Sequence, residues 1–213
     1  KPFENYGIKF ISMANLLPDG QALMWRGAML VKALDQFMSD VAWGELDCLV
    51  IDMPPGTGDA QMTMAQQVPV TAGVAVTTPQ TVALDDARRS LDMFKKLHIP
   101  IAGIVENMSG FICPDNGKEY DIFGKGSGEE LAKEYGSKVI AEIPIEMAIR
   151  EGGDSGNPIM ISHPESESNQ RYLKAADELW SFIEKVLEED LAGNEMIQPI
   201  YGVNGTPSAC SMK

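Results

Sequence analysis

Cysteine is scarce, with three in 213 residues: Cys48, Cys113 and Cys210. Thiols so few, and odd in number, argue against a disulfide framework and fit a reducing compartment, most simply the cytosol. Histidine is scarcer. His98 and His163 stand far apart with no Cys or His at ligand spacing, so both read as ordinary loop residues. Positive charge is also short: 17 Lys and Arg face 31 Asp and Glu, a formal net charge of −14. That balance repels phosphate backbones and anionic lipid, which argues against nucleic acid or membrane as the main partner. No apolar run reaches the length of a membrane span, and the opening "KPFENYGIKF" lacks the charged, apolar, small order of a signal peptide. An initiator Met is missing too, so Lys1 is not expected to be the natural start. Nor is there any Gly-Lys-Ser or Gly-Lys-Thr of a phosphate-binding loop.

What is present has a clear rhythm. Runs at 8–12, 48–52, 72–77, 101–106 and 138–143 are mostly continuous in apolar residues, as strands buried on both faces of a parallel sheet are. Helical spacing lies between them. Leu84, Ala87, Leu91, Phe94 and Leu97 form one stripe over 81–97, and similar stripes run over 28–41 and 166–189. Strands alternating with helices of this length predict an α/β fold, a mostly parallel sheet flanked by helices. Residues 1–189 read as one domain. Residues 190–213 mix Gly, Pro, Asn and Ser without periodicity and read as a mobile polar tail.

In such folds ligands sit beyond the carboxyl ends of the strands, where Asp52, Thr78, Glu106 and Asn107 fall. The segment "LVIDMPPGTGDAQ" is the most suggestive. An apolar run delivers Asp52, and Gly56 and Gly58 follow in a loop whose backbone is able to approach a phosphate. A carboxylate ending a buried strand calls for a cation, and Mg²⁺ is the common answer. Asp59 stands where a helix N-cap belongs. The bland alternative is a strand, a turn and a cap with no ligand. Cys48, inside the run, reads as a small buried hydrophobe. Ser109, Ser127 and Ser155 show no sign of a nucleophile elbow.

The stretch "WGELDCLVIDMPPGTGDAQMTMAQQVPVTAGVAVTTPQTVAL" resembles the Mrp (ApbC-type) family of ATP-binding iron–sulfur carriers. So do "WRGAMLVKALDQF", "GIVENMSGFICP" and "IPIEMAIREGGDSGNPIM", which extends the likeness over about residues 7–185. The resemblance implies a P-loop NTPase fold of the MinD/ParA class and a homodimer that binds ATP and Mg²⁺. It also implies a 4Fe–4S cluster passed from scaffold proteins to apo iron–sulfur proteins. By motif, Asp52 is the acid that acts on Mg²⁺, and Gly56 faces the γ-phosphate. Asn107 reads the adenine edge, with the Pro144–Ile145 loop on the other side of the base. An amide suits that role because it donates and accepts together.

Two departures bear on this likeness. The family's phosphate loop and first strand lie upstream of the point where this chain begins, so the sheet is expected to lack its central strand. The nearest glycine cluster, "FGKGSGEE" at 123–130, has the wrong spacing for that loop. The family's Cys-x-x-Cys appears here as Cys113, Pro114, Asp115, Asn116, which leaves one thiolate per chain. Asn116–Gly117 is a turn signal, and Phe111–Ile112 against Tyr120 and Ile122 predict a hairpin with or without a cluster. Two other functions compete: a non-catalytic interaction module that has lost its nucleotide site, and a positioning ATPase of the MinD/ParA kind. The acidic last helix and polar tail argue against the latter.

Overall fold

Tyr6 and Gly7 both take left-handed backbone conformations, with φ 49 and 76, and close a two-residue turn between the first two strands. These strands, β1 (Phe3–Asn5) and β2 (Ile8–Phe10), form an antiparallel hairpin with Phe3 opposite Phe10. Paired positive φ angles match the twist of a hairpin, which is why such a turn is favoured. In the computed structural model, residues 1–16, 27–53, 61–62, 65 and 68–193 are described. The chain divides into two units, 1–69 with 197–213, and 70–196.

In the first unit, β2 corrects an expectation. The run at 8–12 pairs with its neighbour in a hairpin and contributes no parallel strand. The helix α1 (Gly27–Ser39) follows the predicted stripe. Trp43 then folds back, its indole N–H donating to the Phe37 carbonyl at 2.8 Å, while Lys9 Nζ donates to the Trp43 carbonyl at 2.6 Å. The run at 48–52 is a larger correction. It forms no strand, and Leu49, Val50 and Cys48 are exposed. A β-strand exists only where a neighbour completes its ladder, and none of the described strands pairs with these residues.

The second unit holds the sheet. Its elements run β3 (Gly73–Thr77), α2 (Thr81–Lys96), β4 (Ile101–Ile112), β5 (Glu119–Tyr120), α3 (Ser127–Glu134), β6 (Val139–Ile145), α4 (Met147–Ser155), α5 (Ile159–Ser162) and α6 (Glu167–Gly193). β4 lies in the middle, parallel to β3 on one side and β6 on the other. Its far end turns back through β5, antiparallel. The mostly parallel, helix-flanked sheet is therefore as the sequence predicts.

Packing explains the order of the layers. Ala87, Leu91 and Phe94 of α2 are buried, and the Phe94 ring lies against β3 where Gly73 leaves room. A Cβ at Gly73 would stand 2.7 Å from that ring, and one at Gly103 would stand 2.4 Å from Ile140. Ile104, Leu91, Leu131 and Ile143 complete a core almost without solvent contact. His98 has a structural task. At φ 56 it ends α2, with its N–H donating to the Lys95 carbonyl and that of Ile99 to the Phe94 carbonyl. This is the left-handed helix stop usually given to glycine. α6 covers the outer edge of β6, where Arg171 Nη1 donates to the Glu142 carbonyl at 2.7 Å.

Candidate functional site

β4 carries its chemistry at its carboxyl end. Glu106 is the last residue of the buried run and is completely buried. Its Oε1 accepts from the Ser109 hydroxyl at 2.6 Å and from the Gly126 N–H at 2.8 Å, and its Oε2 accepts from the Gly128 N–H at 2.6 Å. The two backbone donors belong to the start of α3, where helical N–H groups have no internal partner and the helix dipole favours an anion. "FGKGSGEE" thus makes an anion-binding helix start, and the anion is the protein's own carboxylate. Sequence reasoning noted Glu106 only as a strand-end residue. The legible signal is an acid closing an apolar run, followed about twenty residues on by a glycine-rich helix start.

Asn107 comes next, opposite Ile143 in the β4–β6 register. Its Oδ1 accepts the N–H of Met108 at 2.9 Å. The register then slips between Asn107 and Phe111. Met108 at φ 56 and Gly110 at φ 79 make this a bulge, and β4 resumes opposite Ile145. Phe111 pairs with Tyr120 and Ile112 with Glu119, so the hairpin forms as the sequence predicts. Cys113 sits at its end, half-exposed. Its N–H donates to the Lys118 carbonyl at 3.0 Å, and its carbonyl accepts from Gly117, which holds φ 66 in the turn.

A groove of about 460 Å³ opens beside this end of the sheet. Phe111, Ile112 and Pro114 line it from the hairpin, and Pro144, Ile145 and Met147 from the strand that follows. Glu146, Glu151, His163 and Glu167 supply its polar rim. Glu146 is also held by the buried Ser168 hydroxyl, which fixes the start of α6 against the groove. The structure thus brings Asn107, Pro144, Ile145 and the Cys113 hairpin to one end of one sheet.

Asp52 stands differently. It is exposed, in a segment without regular structure, so it is not a carboxylate at the end of a buried strand. Gly56, Gly58, Asp59, Trp25, Arg26 and Cys210 lie outside the described residues. Cys48 is exposed and is not the buried hydrophobe expected. No group of three or more His, Cys, Asp and Glu suited to a metal occurs among the described residues.

Electrostatics near the hairpin are local. Lys125 Nζ lies 2.5 Å from Glu119 Oε1, and hydrogen bonding to that ammonium holds the Glu119 carboxyl below its usual range. Farther off, burial first, and then a hydrogen bond to Asp92, push the Tyr135 phenol up to about 12.

Comparison with known proteins decides the family. The model of the NUBPL iron-transfer P-loop NTPases, within the ParA group, matches residues 1–180. The chain belongs to that family. An iron–sulfur cluster carrier protein of Helicobacter pylori is 56% identical over 198 residues, covering 93% of this chain and 54% of its own length. The chain therefore spans about half the length of that curated relative. Among solved structures, a nucleotide-binding protein from Archaeoglobus fulgidus in complex with ADP is 34% identical with a TM-score of 0.64, over 78% of this chain and 64% of its own. The cell-division ATPase MinD of Pyrococcus furiosus, 24% identical with a TM-score of 0.53 over 73% of this chain and 59% of its own, shares the fold. As a member of this P-loop family, the chain has the MinD/ParA-like architecture the sequence led one to expect.

The residues present fit one end of a nucleotide. Pro144 and Ile145 wall the groove, which Asn107 does not line, and an apolar wall with an amide at the same end of the sheet is the kind of surroundings a purine base takes. The start of α3 does not suit a phosphate, because Glu106 already fills it.

Proposed function

We propose that the whole protein of which this chain is part carries 4Fe–4S clusters under the control of ATP and delivers them to apo iron–sulfur proteins. The observation that carries this reading is the shared location of the groove and the half-exposed Cys113 at one end of the β4–β6 pair, in a family whose relatives are named as cluster carriers. Asn107 donates to the base, and Pro144 and Ile145 wall it. Asp52 is the Mg²⁺-binding acid and Gly56 faces the terminal phosphate. When bound, Mg²⁺ supplies the charge that lets nucleotide oxygens approach a carboxylate.

The cluster is cargo. One Cys113 per chain gives two thiolates only when two chains meet, so the carrier is a homodimer with a cluster between hairpins. A cluster with fewer than four thiolates is held less firmly, which suits release more than storage. Its clients are apo iron–sulfur proteins and its sources scaffold proteins, in the cytoplasm. Residues 1–189 act together as one functional domain, and the polar tail follows α6, which runs past residue 190 to Gly193. No helix among the described residues is long and apolar enough to cross a membrane.

Anaerobic reconstitution with iron and sulfide is the direct test. Visible absorbance is expected from the wild-type chain and is lost in Cys113→Ser. Equal absorbance in both would remove Cys113 as a ligand. A second reading, a non-catalytic interaction module, is favoured by one observation: Asn116 stands at the position of a second thiolate. ATP binding by the full-length protein that Asp52→Asn abolishes would exclude it.

A further inference from the structure

Glu106 is a fully buried carboxylate to which the nucleotide and cargo reading gives no task. A charge withdrawn from water needs donors, and it has three. Two are explained by the start of α3. The third is different, because Ser109 belongs to the bulge that separates Asn107 from the Cys113 hairpin. Met108, just before it, is a non-glycine residue at φ 56, a conformation that persists only where the surroundings hold it.

The bulge is held from the hairpin side as well. Gly110 holds φ 79, a backbone conformation that favours glycine, and the Glu119 carboxylate reaches over it, with Oε1 2.8 Å from where a Cβ would stand. That same oxygen pairs with Lys125. Lys125 and Gly126 are adjacent, so one loop receives a carboxylate from β4 before the bulge and another from β5 after it.

We propose that Glu106, acting through Ser109, is a positioning residue that fixes the 108–110 bulge and so sets the Cys113 hairpin relative to Asn107 and the groove. The inference rests on the reading of Asn107 as the base amide and Cys113 as the cargo thiolate, but its test does not need cargo.

The full chain is prepared with Cys48→Ser and Cys210→Ser, leaving Cys113 as the one thiol. Two rates are measured: alkylation of Cys113 by a maleimide, and amide hydrogen exchange over 108–120 and 127–134. Ser109→Ala removes the hydroxyl and leaves both backbone donors on Glu106. It is expected to raise Cys113 labelling and exchange over 108–120 by roughly fivefold, with 127–134 unchanged. Glu106→Gln, which sets an amide against two N–H groups, is expected to loosen both segments. Ser109→Thr keeps the hydroxyl and is expected to label as wild type. The proposal is overturned if Ser109→Ala labels and exchanges as wild type, if it loosens 127–134 equally, or if a folded Ser109→Thr behaves like Ser109→Ala. Reconstitution on the same proteins separates the two readings. A wild-type chain that takes up no cluster, while Ser109→Ala still loosens the hairpin alone, overturns the cargo assignment and supports the positioning role.

Discussion

Two apolar runs of this chain end on a carboxylate, "CLVID" at Asp52 and "IAGIVE" at Glu106, and they have opposite fates. The second is the central strand of the sheet. Ile104 is fully buried, and Glu106 ends the run with three hydrogen-bond donors around it. The first forms no strand, Val50 is 82% exposed, and Asp52 is exposed. The residues of the two runs are nearly interchangeable in type. What differs is supply. β4 has a parallel neighbour on each side and a helix start at its end, whereas the described residues give 48–52 no ladder partner. Apolar character makes a segment able to be a strand, and neighbours make it one.

The comparison breaks most easily in the core. Ile104→Ala is expected to cost about 2–5 kcal/mol, by lost burial and a cavity. Val50→Ala should change stability by no more than about 0.5 kcal/mol. Urea unfolding midpoints of the two variants test this, and comparable losses would mean that 48–52 is buried in solution. The carboxylates come next. Glu106→Ala leaves the buried Gly128 N–H and Ser109 hydroxyl and the part-buried Gly126 N–H without their acceptor and should cost about 1–3 kcal/mol, while Asp52→Ala should leave the midpoint in place. A stability loss at Asp52 would point to an engaged carboxylate there.

Glycines sharpen the contrast between filled and open space. Gly103→Ala drives a methyl to within 2.4 Å of Ile140 and is expected to destabilise by about 1–3 kcal/mol. Gly153→Ala, in α4 with nothing within 4 Å, should stabilise by about 0.5–1 kcal/mol. Thermal unfolding of the pair reads both signs.

Titration gives the smaller effects. Tyr135, raised from 10.0 to about 12, contributes stability fully present below 10.0, because the phenol is neutral in both states there. Above 10.0 the unfolded chain loses its proton first, and the contribution disappears as pH rises through about 12. Burial also raises Tyr172, so alkaline absorbance titration should show two described tyrosines ionising late, and Tyr135→Phe should remove one of them. The smallest effect is expected at Glu119, whose lowered pKa comes from an exposed partner, Lys125. Its contribution is present above the usual carboxylate range and is lost as pH falls through the folded value. Glu119→Gln should therefore narrow the gap between acid and neutral melting temperatures only slightly, since solvent screens such pairs.

Much of this was legible in residue order. Helical stripes placed α2 and α6 within a few residues, because side-chain periodicity is local and α2 buries Ala87, Leu91 and Phe94 as predicted. Asn116–Gly117 announced its hairpin, since a left-handed glycine is a property of two residues and their turn. The motif phrases carried the family. Less legible were Ser109 and Glu106, whose roles depend on contacts that no spacing rule describes.

By itself, then, the sequence determined the kinds of element, their order, the turn that carries Cys113 and the family to which the chain belongs. Tertiary structure decided which apolar run became a strand and which acid was buried. The reason is the range of the forces. Periodicity and turn chemistry act within a few residues. A ladder needs a second strand, and Glu106 draws its donors from Gly126 and Gly128, 20 and 22 residues farther along the chain.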